Sequence, residues 1–543
     1  MKNPKPAYAN GNGGVPELLK ELWNAAVALR GNIEPADYKR YVLPLIFLRF
    51  LSLRFEKRHA ELITEIADPK SDLHTTKEQL KFEILNDSDN YTSKQVFLVP
   101  EDARWDNIIK IARADDVKIR LDNILALLET TFPKLKGLLP PIYAGSNLDK
   151  ENIAGIINLF SKDIFKSGGG GIDMLGRVYE YFIGEFASSE GKRGGEYFTP
   201  QSIVKLLVSM LEPTEGKVFD PCCGSGGMFV QSDHFAHHSG KLSFCGQEAK
   251  DFTYRLCRLN LFIHGLDGDI RLGSSYTNDQ HADLKADFIL ANPPFNDGAK
   301  GENGWGANLI DSKDARLRLP GQTAPQPLAA RNANTMWLLH FLQHLRDPDA
   351  KHAGGTAGFV MATGELSSGD TARLAVRKGL VEGGFVDCVV TLTGQLFANT
   401  QIPCALWFLS KNRGGGKTYR ARKNEVLFIS AKNLGALIPG SRKQKQLTIE
   451  EIERIATVYR QFKHERAPDP VLGFCAVAGI EKIREQRYAL TPGRYVGASD
   501  DGDEDEPFEE RFPHLRAKLL AEVEQGRKLN GEVVKALELL ADV

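Results

Sequence analysis

A chain of 543 residues is too long for one hydrophobic core, so two to four folding units are expected. With 69 Lys plus Arg against 70 Asp plus Glu the net charge is −1, which excludes a protein drawn onto nucleic acid by a global basic field; any such contact needs local patches or a partner. Seven cysteines, an odd number set mostly in apolar runs, fit reduced core thiols of a cytoplasmic protein, and neither a signal peptide nor an apolar run of the roughly 20 residues a membrane helix needs is apparent.

From Pro16 to about Glu65 apolar residues recur three and four apart (Leu18, Leu22, Val27; then Tyr38, Val42, Leu45, Phe47, Leu51), which predicts amphipathic helices. Similar patterns at 119–128 and 153–165 extend this to an all-α amino-terminal domain over 1–167. Four glycines at 168–171 resist any regular element and mark its end. Strands expected at 217–221, 242–247, 286–291, 358–361 and 386–392 then alternate with helices at 228–238, 251–264, 335–345 and 371–382. Short apolar strands separated by helices predict a mostly parallel sheet covered on both faces, a Rossmann-like α/β domain over 168–497. Strand candidates at 404–410 and 426–430 follow more directly and are expected antiparallel at an edge. The segment 499–510 holds eight acidic residues and reads as a solvated linker. Beyond it Leu515, Leu519, Val523, Leu529, Val533, Leu537 and Leu540 predict two short amphipathic helices, broken near Gly526 or Gly531, so that 498–543 is a linker and docking tail in need of an apolar surface.

Three stretches carry chemistry. Phe219 to Gly227, with Asp220 and Gly224-Ser225-Gly226-Gly227, follows a strand and opens a helix, where glycines let the polar end of a cofactor approach backbone N–H groups. A glycine loop alone is equally an ordinary turn. Glu248 ends the second strand, where a carboxylate can accept from both ribose hydroxyls. Asn292-Pro293-Pro294-Phe295 follows the strand at 286–291. The adenine N6 amine is a poor nucleophile because its lone pair is delocalised into the ring. The Asn292 side-chain oxygen and the Pro293 carbonyl can accept its protons, the prolines fix the backbone that aims them, and Phe295 can stack on a base rotated out of a duplex.

These residues resemble one family almost end to end: the modification (methyltransferase) subunit of type I restriction-modification systems, within the gamma-ordered N6-adenine DNA methyltransferases. The likeness is carried by Leu22-Trp23, Tyr38 to Leu45, Tyr179 to Phe182, Gly194 to Gln201, Thr253 to Leu256, Asn260-Leu261 with His264-Gly265, Asn292 to Phe295, Leu396-Phe397 with Thr400, and Tyr488 to Tyr495. The resemblance implies methyl transfer from S-adenosylmethionine to adenine N6, with Glu196, Tyr197, Phe198, Thr199, Pro200 and Gln201, the Asp220 to Gly227 loop and Glu248 holding the cofactor. Thr199 before Pro200 reads as an N-cap with proline at the first helical position, leading into 203–211. The chain departs from the family pattern at Gly273-Ser274-Ser275, where relatives carry an acidic or amide residue beside the cofactor's purine, and at Cys222-Cys223, where small residues are usual.

A cytosine C5 methyltransferase would need a nucleophilic cysteine, and neither Cys222 nor Cys404 stands at the Asn292 position. A dehydrogenase shares the glycine loop but leaves Asn292 to Phe295 unexplained, and methyltransferases of release-factor glutamine lack the long helical amino terminus. A stand-alone adenine methyltransferase and a non-catalytic scaffold in a DNA-bound complex are the remaining alternatives. His237-His238 and His340 with His344 lack a converging cysteine or acid, so no metal is expected. Beyond Phe397 nothing reads as a base-reading element; a basic stretch (Arg420 to Lys423, Arg442 to Lys445) could touch phosphate. The resemblance implies double-stranded DNA and a specificity subunit holding two copies of this chain as partners, docked through the 515–540 stripe. It leaves open whether a restriction subunit joins them.

Overall fold

The computed structural model describes residues 15–31, 33–165, 171–189, 199–294, 305–330, 332–397, 400–438, 441, 443–497, 516–517 and 519–531. The chain divides into two compact units, Met1–Val496 and Gly497–Val543.

The first unit opens with helices, among them α1 (Val15–Ala28), α2 (Pro35–Ala67), α3 (Val117–Thr131), α4 (Lys150–Phe160) and α5 (Gly171–Ser189). Proline at the first turn suits α2, since the N–H it lacks has no intrahelical partner there. The amphipathic stripes become one core containing Leu22, Val42, Leu45 and Phe47. Trp23 of α1 stands edge-on to Phe182 and Phe186 of α5 at 5.2 and 4.7 Å, and the Tyr38 hydroxyl donates to the Ala26 carbonyl at 2.6 Å. The Leu22-Trp23 and Tyr38 motifs thus serve packing. Of the glycine run, 168–170 lies outside the described residues, and Gly171 opens α5, whose Leu175, Val178 and Tyr179 join the same core.

The sheet that follows has nine strands: β1 (Gly216–Asp220), β2 (Leu242–Glu248), β3 (Gly268–Leu272), β4 (Phe288–Ala291), β5 (Thr356–Ala362), β6 (Val386–Leu392), β7 (Cys404–Ser410), β8 (Glu425–Ala431) and β9 (Cys475–Gly479), in the order β9-β8-β6-β7-β5-β4-β1-β2-β3. Strands β3, β2, β1, β4 and β5 are mutually parallel, and β8 is parallel to β6. The expectation for 404–410 and 426–430 needs correcting. Strand β7 is antiparallel, to both β5 and β6, but sits between them with all seven residues buried. Strand β8 is interior too, flanked by β6 and β9. The continuous apolar run Cys-Ala-Leu-Trp-Phe-Leu signals burial on both faces, which an edge strand does not have.

Helices α6 (Gln201–Leu211), α7 (Gly227–Phe235), α8 (Asp251–Ile263), α9 (Asn334–His344), α10 (Thr371–Glu382) and α11 (Ile449–His464) accompany the sheet. One core cluster joins Phe244, Leu290, Val390 and Phe408 to α6 and α11; another joins Phe219, Ile289, Trp407 and Phe428 to α9 and α10. Helix α8 belongs to two cores: Leu256, Leu259 and Ile263 pack into the helical domain, Cys257 and Leu261 under the sheet. It therefore ties the two layers together. The cap of α6 falls one residue later than expected, at Pro200, and Thr199 makes no cap bond. Because β1 and β4 are neighbours while the chain runs from β1 to β2 on the other side, the strand order reverses there. A crevice opens at such a reversal, outside the carboxyl ends of the strands.

In the second unit residues 516–517 and 519–531 are helical, Gly526 included; of the two places where a break was expected, Gly531 is the last described residue. Its Leu519, Leu520, Val523 and Leu529 are exposed. Among the described residues no helix is long and apolar enough to cross a membrane.

Candidate active site

The crevice is a cavity of about 930 Å³, at the upper end of the range for one bound small molecule. Of the residues singled out from sequence, Thr199, Gln201, Asp220, Gly224, Ser225, Gly227, Glu248, Asn292 and Pro294 line it. Pro200, Gly226 and Pro293 are not on its wall, and Glu196, Tyr197, Phe198 and Phe295 lie outside the described residues.

The glycine loop earns its glycines at two positions. Gly224 (φ 53°) and Gly226 (φ 80°) are left-handed, and a Cβ on Gly226 would come 3.0 Å from the Cys257 sulfur. Glu248 ties this loop to β2: its Oε2 accepts from the Gly224 N–H at 3.0 Å and its Oε1 from the Lys250 N–H at 2.9 Å. Asn260 of α8 donates from Nδ2 to the Ser225 carbonyl at 2.9 Å, while its Oδ1 is buried without a partner. The paired cysteines have a packing role as well: Cys223 is buried in one core cluster with Cys257, and Cys222 packs against the core on the other side. Burial pushes the Cys222 and Cys404 thiols up, the neighbouring Cys257 and then burial push Cys223 up, and none resembles an activated nucleophile.

Asp220, 2% exposed, closes the floor of the cavity. Burial, helped by the nearby Glu248 carboxylate and only partly opposed by the Cys222 N–H at 3.0 Å, pushes its carboxyl up to about 7. Asn292, at the end of β4, donates from Nδ2 to Thr199 Oγ1 at 2.9 Å. Its Oδ1 is buried and has no partner among the described residues. An orphaned buried acceptor costs about 1–3 kcal/mol, and this one belongs to a residue that lines the cavity.

Sequence reasoning missed two walls. One comes from the helical domain: Lys39 of α2 with Glu180 and Phe186 of α5. Only the docking through α8 brings them here, and no local pattern announces that. The other is Ser274 to Thr277 with Trp337, covering the place where Gly273-Ser274-Ser275 departs from the family pattern. Tyr276 meets the Trp337 ring edge-on at 5.1 Å, and the Ser275 hydroxyl donates to the Pro221 carbonyl at 2.6 Å. Arg316 holds this loop from behind through the Ser275 and Tyr276 carbonyls at 2.6 and 2.7 Å.

Behind that wall the histidine expectation is corrected. Asp279 does converge on His340 and His344, its Oδ2 lying 2.9 Å from His344 Nε2 and 4.0 Å from His340 Nδ1. The acid comes from a loop far away in sequence. The Arg316 guanidinium already stands among them, 3.1 Å from His340 Nδ1 and 3.9 Å from Asp279, and supplies the positive charge. Although burial opposes ionisation, the His344 bond and the charges of His340 and Arg316 hold Asp279 well below the usual carboxylate range.

The basic stretch is corrected too. Arg422 is buried and pairs with Asp387 at 2.9 Å, and Arg420 pairs with Glu425 at 2.6 Å. Both precede β8, at the end of the sheet away from the strand ends that carry Asn292, while Arg442 lies outside the described residues.

Comparison with known proteins agrees with this architecture. Residues 170–504 match the N-6 DNA Methylase family and residues 18–160 the HsdM N-terminal domain. The MjaIX methylase subunit of a type I restriction enzyme from Methanocaldococcus jannaschii is 39% identical, over 97% of this chain and 92% of its own. The HindI methylase subunit from Haemophilus influenzae is 36% identical over 81% of this chain and 99% of its own. Among solved structures, the type I restriction-modification methyltransferase subunit from Streptococcus thermophilus superposes with a TM-score of 0.71 at 25% identity, covering 89% of this chain and 99% of that one. The chain therefore belongs to the N-6 DNA methylase family, as a methyltransferase subunit of the type I restriction-modification kind that methylates adenine in DNA.

Proposed function

We propose that the cavity at the ends of β1, β2 and β4 binds S-adenosylmethionine beside a target adenine rotated out of duplex DNA, and that Asn292 accepts the protons of its N6 amine. The observation that carries this reading is that Asn292 lines a cavity that begins at the glycine loop and that its buried Oδ1 has no partner among the described residues. The residues present suit the cofactor. The loop glycines admit a close ligand, Glu248 sets a carboxylate at the end of β2 where ribose hydroxyls would lie, and Asp220 has no cation among the described residues, which a sulfonium or ammonium group would supply. Thr199, Gln201, Gly224 to Gly227 and Glu248 would hold it, and Glu196, Tyr197 and Phe198 join the proposal on resemblance alone.

Bound there, the cofactor would supply an electrophilic methyl group on a good leaving group. The protein's part is positioning and amine activation. Asn292 Oδ1 accepts an N6 proton, which lets the nitrogen pyramidalise and frees its lone pair; Pro293 and Pro294 keep that oxygen fixed. Phe295 would stack on the extruded base.

The wider reading treats 1–167 as a helical domain, 168–497 as the methyltransferase domain and 498–543 as a linker and docking tail. Its partners are double-stranded DNA and a specificity subunit that holds two copies of this chain, in a reducing cytoplasm. The exposed Leu519, Leu520, Val523 and Leu529 support the docking role. The purified chain alone should bind S-adenosylmethionine in calorimetry yet methylate no defined site, whereas the complex with its specificity subunit should. Deleting 512–543 should abolish co-purification. Site-specific methylation by the isolated chain, or normal assembly of the truncated one, contradicts the partner reading.

A further inference from the structure

The bond between Thr199 and Asn292 has a polarity that their positions alone do not set. A threonine hydroxyl can donate or accept, and a carboxamide offers an oxygen at one end and an N–H pair at the other. When Nδ2 donates to Thr199 Oγ1, as it does here, Oδ1 is the end left without a partner among the described residues. Turned over, the carboxamide would accept from the hydroxyl and present its own N–H groups to an incoming amine. Donor would then face donor, and no proton could be accepted. Only the first polarity is productive.

Two observations bear on what selects it. Thr199 lines the cavity next to Asn292 and is followed by Pro200, which confines its backbone to the extended region. Among the described residues Thr199 bonds only to the Asn292 side chain, and none of them receives its hydroxyl proton. A hydroxyl with a free proton directed at a ligand cavity can give that proton to the ligand, and a hydroxyl that does so can only accept from its other neighbour.

We propose that Thr199 is a positioning residue that couples cofactor occupancy to capture of the target adenine. Thr199 donates to an acceptor oxygen of the bound cofactor, must then accept from Asn292 Nδ2, and so leaves Asn292 Oδ1 for the target amine. The role rests on the proposed cofactor site. It adds that the cofactor prepares the base-binding side through one hydroxyl, whether or not methyl transfer follows.

The test uses the complex of this chain with its specificity subunit and a duplex bearing its methylation site. Duplex affinity is measured with and without S-adenosylhomocysteine, which has the same acceptor oxygens and no methyl to transfer. Wild type and T199S should bind the duplex several-fold more tightly with S-adenosylhomocysteine, in the range usual for coupled sites. In T199V the two affinities should converge and turnover should fall about tenfold or more, while calorimetry shows S-adenosylhomocysteine still bound. A T199V complex that keeps wild-type coupling and turnover overturns the role of Thr199 and leaves the cofactor site standing. Failure of the wild-type complex to bind S-adenosylhomocysteine overturns both.

Discussion

Asp220 and Asp387 are buried carboxylates on strands of one sheet, 2% and 0% exposed, and they have met opposite fates. Asp387, near the start of β6, receives Arg422 at 2.9 Å, the Tyr459 hydroxyl at 2.8 Å and Arg413 at 3.2 Å. Burial alone would raise its pKa, but two guanidiniums hold it below the ordinary range. Asp220, at the end of β1, has one backbone N–H and no cation among the described residues, and burial carries it to about 7. A buried charge matched by the protein is part of the structure; one left unmatched on a cavity wall is addressed to something the protein binds.

That contrast can be broken by substitution, and the largest effect belongs on the structural side. Asp387→Ala leaves Arg413 and Arg422 buried without a counter-charge, which should cost about 3–5 kcal/mol in denaturant unfolding, while any protein that folds keeps its cofactor affinity. Unchanged stability would mean the cluster is not the matched pair it appears in the geometry.

On the ligand side Glu248→Ala should weaken S-adenosylmethionine binding by about 1–3 kcal/mol in calorimetry, through loss of a charged acceptor and of the Gly224 tether. Unchanged affinity would move the ribose contact elsewhere.

The smallest effect is on pH dependence. With its pKa raised from 3.8 to about 7, Asp220 favours the unliganded fold in its protonated form, and that contribution is lost as pH rises through about 7. A cationic ligand prefers the carboxylate. Cofactor affinity should therefore fall as pH drops below about 7, by at most about tenfold per unit, with proton release on binding, and Asp220→Asn should flatten the profile. A wild-type profile that is flat between pH 5 and 8 would remove Asp220 from the site.

What could be read in advance follows the range of the interactions. Local patterns announced β1, β2, α8, α10 and β6 nearly to the residue, and placed Gly224, Glu248 and Asn292 at strand ends, because loop chemistry there depends on a few adjacent residues. Helix α11 was overlooked although it carries a readable signal, a capping box between Thr448 and Glu451 ahead of Ile452, Ile455 and Tyr459. Strand β9, Cys-Ala-Val-Ala-Gly, is too small and short to stand out. The rest is tertiary. The Lys39 and Glu180 wall, the Asp279 to His340 contact and the pairing of Thr199 with Asn292 join residues far apart in the chain, and only the packed sheet brings them together.

The account stands on Asn292 Oδ1 being the acceptor for the target amine. The direct test compares Asn292→Ala with wild type in the assembled complex, reading S-adenosylmethionine affinity and methyl transfer to the site-bearing duplex side by side. Affinity should stay nearly intact while turnover falls about a hundredfold or more, as loss of a transition-state acceptor does. Turnover near that of wild type would contradict it.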